Sequence, residues 1–114
     1  MKLYYEIHPP GINATYKVTG SRMYKSDIAV DWQTSAALAI GSKAGEIDWK
    51  DSHDYYGINI YTANKNMDVD ATVKLVIDTI AQKLDFNDKR ITEIHVYKEL
   101  DKDYEGIFLE LFGI

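Results

Sequence analysis

Cysteine is absent from the 114 residues, which excludes disulfides, zinc ribbons and thiol chemistry. The two prolines fall together at Pro9-Pro10, where they supply no donors to a ladder and end whatever strand precedes them. No run of 18 apolar residues exists, and the Met-Lys-Leu-Tyr-Tyr-Glu start lacks the apolar core of a secretory signal, so a cytoplasmic protein without membrane spans is expected. Excess positive charge is missing too. The net charge is −5 and the pI near 5.0, a balance that by itself argues against nucleic acid. What is present is 46% apolar residues and nine tyrosines, enough for one folded, partly sheet-based core and too little for two domains.

The pattern along the chain predicts a single α/β domain over residues 1–114. Leu3, Tyr5 and Ile7 alternate with Tyr4, Glu6 and His8 as a strand that stops at Pro9-Pro10-Gly11. A finger or irregular hairpin follows, through Asn13, Thr19-Gly20 and Ser21-Arg22. Ser26-Asp27 opens a helix with Ile28, Val30, Trp32, Ala36, Ala37, Leu38 and Ile40 on it and Gly41 as its stop. Residues 42–54, with Gly45 and His53, read as a polar linker. Tyr55 to Tyr61 alternates as a second strand. Thr72 to Leu84 carries Val73, Val76, Ile77, Ile80 and Leu84 at helical spacing, a stripe that should be buried. Ile91 to Lys98 and Ile107 to Phe112 are read as two strands joined by an acidic hairpin loop. The expected order is β-α-β-α-β-β, a mixed sheet packed by two helices.

Three aspartates stand out beside that second helix: Asp68 and Asp70 before it and Asp88 after it. If the backbone is extended at Asp68 and Asp70, both carboxylates point the same way, and a tight return after the helix would bring Asp88 back toward a neighbouring chain segment. Converging carboxylates repel unless protons, lysine or a hard cation offset the charge, which would suit a magnesium-dependent phosphodiester-cleaving site. The same residues equally read as an N-cap, a solvated and a turn aspartate, and spacing alone favours that plainer account. Lys74 stands four residues beyond Asp70, where an ordinary helix ion pair is the plain alternative to a phosphate contact. Asp78 is placed to hold Lys74 or to sit on a solvated helix face. His8, His53 and His95 show no metal-ligand spacing and read as structural or surface residues. Residues 1–26 hold Lys2, Lys17, Arg22 and Lys25 against Glu6, a local +3 that leaves −8 on the other 88. Tyr16 and Tyr24 lie among these cations, a mixture suited to phosphates and unstacked bases.

Taken in series, these segments resemble the RusA-type Holliday junction resolvases. The resemblance is carried by Pro9-Pro10-Gly11-Ile12-Asn13 with Tyr16, Lys17, Arg22 and Tyr24; by Asp68-Val69-Asp70-Ala71-Thr72-Val73-Lys74 with Asp78; and by Asp88 in the turn after the helix, with a strand-end Lys98. It covers nearly the whole chain in order. It implies an endodeoxyribonuclease that resolves Holliday junctions or related branched DNA by paired nicks, in recombination and repair, from a prokaryote, phage or prophage. Asp70 and Asp88 would be direct Mg²⁺ ligands, with Mn²⁺ able to substitute, and Asp68 a ligand or water-positioning base. Lys74 would act on the scissile phosphate. Tyr16, Lys17, Arg22, Lys25 and Lys65 would bind DNA. Two symmetric nicks need two sites related by a two-fold, hence a homodimer. The chain departs from the family at Ala71, where an asparagine is usual, and in its acidity. Both departures motivate an alternative: a non-catalytic junction-binding module or a DNA-mimicking inhibitor on the same fold.

Overall fold

Tyr56, Ile58 and Ile60 are all fully buried and alternate with Gly57, Asn59 and Tyr61. This period of two fits a strand with one face on a core. The computed structural model describes residues 1–43 and 54–114, so most of the linker expected over 42–54, with Gly45 and His53, lies outside the described residues. The elements are β1 (Lys2–Tyr5), α1 (Ile12–Thr15), β2 (Tyr16–Thr19), β3 (Arg22–Lys25), α2 (Asp27–Lys43), β4 (Tyr56–Thr62), α3 (Val73–Leu84), β5 (Ile91–Lys98) and β6 (Ile107–Gly113), with a 3-10 turn at Asp88–Arg90. Among the described residues the result is an α/β arrangement with a mixed sheet and three α-helices. Among the described residues no helix is long and apolar enough to cross a membrane.

The main sheet has the order β1-β6-β4-β5. β4 and β5 are parallel and joined through α3, while β6 runs antiparallel to both β4 and β1. This corrects the expected hairpin between Ile91–Lys98 and Ile107–Phe112, because β5 and β6 are not neighbours. Once β5 has paired with one edge of β4, its other edge is still open. β6 closes that edge, with Ile107, Leu109 and Leu111 buried against the same core. Backbone at the start of β6 runs so close to β1 that a Cβ on Gly106 would lie 1.8 Å from the Tyr5 carbonyl oxygen.

α2 and α3 cover one face of the sheet. Ala29, Trp32, Ala36 and Ile40 of α2 and Leu75, Val76, Ile80 and Leu84 of α3 meet Leu3, Ile58, Ile60 and Leu109 in one core. Several expectations shift here. β1 ends at Tyr5, and Ile7 is exposed, because the Ile7 carbonyl is taken by the Trp32 indole N–H at 2.8 Å. In α2, Ile28, Val30 and Leu38 face outward, and the helix passes Gly41 to end at Lys43. α3 opens at Val73 rather than directly after Asp70, since residues 69–72 form a turn in which Ala71 N–H donates to the Asp68 carbonyl at 3.1 Å.

Residues 12–25, expected as a finger or irregular hairpin, form a short helix and a regular two-stranded ribbon, so the order gains α1, β2 and β3. The two-residue turn Gly20-Ser21 has positive φ at Gly20 alone, +62°, the pattern of a type II′ hairpin whose twist matches its strands. Ser26 joins this ribbon to α2. Its hydroxyl donates to the Ala14 carbonyl at 2.6 Å and accepts from Ala29 N–H at 3.3 Å, and the side chain is buried. That second bond caps the start of α2. Ser26→Ala should therefore lower unfolding stability by about 1–2 kcal/mol, measured by urea denaturation, whereas Thr34→Ala on the exposed side of α2 should change it by less than about 0.5 kcal/mol.

Candidate functional site

A cleft of 420 Å³ lies between α3 and β5, lined by Asp70, Val73, Lys74, Ile77, Asp78, Asp88, Ile91 and Ile94. The βαβ connection creates it, because α3 must pack back across β4 and β5 and leaves a groove along its own outer side. Asp70 enters at the amino-terminal end of α3. Asp88 enters from the other end, where it also borders an adjoining hollow with Asp78, Ala81, Gln82 and Asp85. The turn carrying Asp88 is built locally: Asp85 takes the left-handed conformation at φ 56°, and Phe86 N–H returns to the Ala81 carbonyl at 3.0 Å, which closes the helix as a Schellman motif. The Asn87 side chain then accepts from Lys89 N–H at 3.0 Å and starts the 3-10 turn.

Asp70, Lys74 and Asp88 are thus brought to one cleft. Asp68 is not among its lining residues; it is exposed in the preceding turn. The extended backbone that would align Asp68 with Asp70 is replaced by that turn. Asp78 is the residue the sequence reading underweighted. It is no solvated helix carboxylate: its side chain is 19% exposed and lies 3.8 Å from the Lys25 ammonium and 4.0 Å from that of Lys74. The signal was its i,i+4 spacing from Lys74; the Lys25 contact depends on the fold. Lys25, expected on DNA, is held at the ribbon base by this pair. Lys17 and Arg22 are exposed and, among the described residues, have no ion pair. Lys65 is exposed in the connector, and the Lys98 ammonium donates to its carbonyl at 3.4 Å. Tyr16 is partly buried, and its hydroxyl has no hydrogen-bond partner among the described residues.

Among the described residues no group of three or more His, Cys, Asp or Glu side chains is spaced to hold a metal ion. The donor chemistry nonetheless suits one ion type. Asp70 and Asp88 offer hard carboxylate oxygens, and Mg²⁺ characteristically takes one or two carboxylates while keeping several waters.

The Pro-Pro-Gly segment meets the aspartate turn. A Cβ on Gly11 would stand 3.4 Å from Met67 Cε and 3.8 Å from Ala71 Cβ, so the side chain that replaces the expected asparagine faces the Gly11 backbone. His8 strengthens the join. Its Nδ1 lies 2.8 Å from the Pro9 carbonyl and its Nε2 2.9 Å from the Thr62 hydroxyl, and that hydroxyl accepts from Asn64 N–H at 3.1 Å. A neutral ring fits this chain with Nδ1–H donating to Pro9 and Nε2 accepting from Thr62. Burial lowers the His8 pKa, partly offset by the Pro9 hydrogen bond.

No protein-family model matches the chain, and no curated protein is similar to it. A solved structure, the CDP complex of IspF from Plasmodium falciparum, is similar with a TM-score of 0.43 and 14% identity over 76% of this chain, which spans 57% of that one. A likeness this loose carries no argument about fold or activity.

A lowered pKa means the unfolded chain binds the His8 proton more tightly. Stability from neutral His8 is then complete above the ordinary value of about 6.5 and is lost as pH falls toward the folded pKa. Urea midpoints should decline as the pH is lowered below about 6.5 in the parent protein. In His8→Gln the curve should be flatter over that window. Equal slopes in both proteins would remove His8 as the cause.

Proposed function

We propose that the protein is a RusA-like, divalent-metal-dependent endodeoxyribonuclease that cuts branched DNA. The observation that carries this reading is the cleft. Asp70, Lys74 and Asp88, 18 residues apart at their extremes, line one groove, in the order and at the spacing in which the sequence resembles the junction resolvases. The mixed sheet, the α3 crossover and the projecting basic ribbon are compatible with such a fold.

Asp70 and Asp88, at opposite ends of α3, would each hold a hydrated Mg²⁺ through one carboxylate, with Mn²⁺ as a substitute. When bound, the ion would activate a water and screen the charge that builds on the phosphate. Lys74 presents its ammonium to the cleft while Asp78 restrains it from the next helical turn, so it is positioned to neutralise a phosphate oxygen. Asp68, outside the cleft, is assigned at most a water-positioning part. The ribbon brings Lys17 and Arg22 to the substrate, and Lys65 extends the cationic surface along the connector. A homodimer would supply the second nick. The protein would then act in recombination and repair.

A second reading, a binding module or a DNA-mimicking inhibitor, draws on the −8 charge of residues 27–114 and on the exposed position of Asp68. Metal titration separates the two. Calorimetric Mn²⁺ binding that loses a site in Asp88→Asn supports the enzyme, whereas no binding in the parent protein supports the module.

With a synthetic four-way junction and Mg²⁺, paired nicks are expected, reduced at least about a hundredfold in Asp70→Asn and in Asp88→Asn. No cleavage across several junction sequences, with Mn²⁺ tried as well, would sink the nuclease reading. Replacing Lys17 and Arg22 together by glutamine should weaken junction binding and lower the slope of log K against log salt by about two. Adding Lys25→Gln should lower it little further, because Asp78 already neutralises that ammonium.

A further inference from the structure

The ribbon has two unlike faces. Opposed pairs share a face in an antiparallel ladder, so Lys17 with Tyr24 and Thr19 with Arg22 make one side polar and cationic. Val18 and Met23 are directly opposed on the other side, next to the turn, and are 71% and 67% exposed. Single exposed apolar residues are ordinary. Two of them paired across a projecting ribbon form one continuous apolar patch. The ribbon is also fixed in direction: the Thr19 hydroxyl donates to that of Tyr24 at 3.3 Å, Lys25 pairs with Asp78 of the cleft, and Ser26 ties the base to α1 and α2.

We propose that Val18 and Met23 form a wedge that enters an unstacked base step of branched DNA, while Lys17 and Arg22 on the reverse side take the flanking phosphates; this rests on the nuclease reading above. An apolar wedge in a regular duplex must separate stacked bases, which costs a few kcal/mol per step. At a branch point the step is already open, so the same insertion costs less. Cations alone would hold any duplex, since phosphate contacts carry no sequence or branch information. The wedge is thus the part of the ribbon that tells a junction from a linear duplex. A nucleic acid is the occupant because Lys17 and Arg22 on the reverse face of the same ribbon have, among the described residues, no ion pair and supply the charge complementary to the phosphates that flank an inserted wedge.

The test uses the full chain and a four-way junction with 2-aminopurine at the branch point, in Ca²⁺ so that no cutting intervenes. Binding of the parent protein should raise the fluorescence, as unstacking does. Val18→Ser/Met23→Ser, both solvent-exposed and checked for a native circular dichroism spectrum, should lose that rise. It should bind the junction about tenfold more weakly, keep its affinity for linear duplex and keep the parent salt slope. An unchanged rise in the double variant overturns the wedge while leaving the nuclease reading intact. A DNA-free dimer of the parent that dissociates in the double variant overturns it as well, by making a second copy the occupant. If the parent binds neither junction nor duplex, the nuclease reading fails and the wedge fails with it.

Discussion

β4 can be satisfied only by two different neighbours, and the rest of the chain is arranged around that requirement. Its inward residues Tyr56, Ile58 and Ile60 are fully buried, so its backbone donors and acceptors have no access to water and must be paired along both edges. β5 takes one edge in parallel, which forces a crossover and thereby creates α3. β6 takes the other edge antiparallel and hands the ladder on to β1. The cleft exists because α3 is a crossover helix: it lies over the sheet beside an edge strand and leaves Ile91 and Ile94 uncovered on its flank.

The electrostatics of that cleft follow from the same placement. Asp70, Asp78 and Asp88 bring three carboxylates to one groove. Asp78 holds Lys25 and Lys74. Asp70 and Asp88 enter from opposite ends and have, among the described residues, no ion pair of their own, which leaves each of them available to a cation or to a positively charged group. The ribbon is coupled to this centre through Lys25.

A neutral histidine holds the opposite end of the connector. The His8–Thr62–Asn64 chain of hydrogen bonds fixes the segment that leaves β4 against the Pro-Pro-Gly turn, and Met67 and Ala71 pack on Gly11. An asparagine at position 71 would have to find its hydrogen bonds beside the Gly11 backbone. Ala71 fills the space without making that demand.

Local chemistry made much of this molecule legible in the linear chain. Alternation placed Tyr56, Ile58 and Ile60 on one face of a strand, helical spacing marked Val76, Ile80 and Leu84 as buried, Ser26 announced its helix, and Pro9-Pro10 ended the first strand's region. Each of these depends on interactions within a few residues. The sheet order did not show, because which edge of β4 receives β6 is decided by burial across some 50 residues of chain, and two consecutive strands with a polar loop read as a hairpin in one dimension. The candidate site divides along the same line. Spacing alone favoured plain roles, and the resemblance singled out Asp68, Asp70, Lys74 and Asp88. Only the packing of α3 on β5 separated Asp68 from the others and drew Asp78 in, since a turn at residues 69–72 rotates one carboxylate away and the ribbon delivers Lys25 to the other.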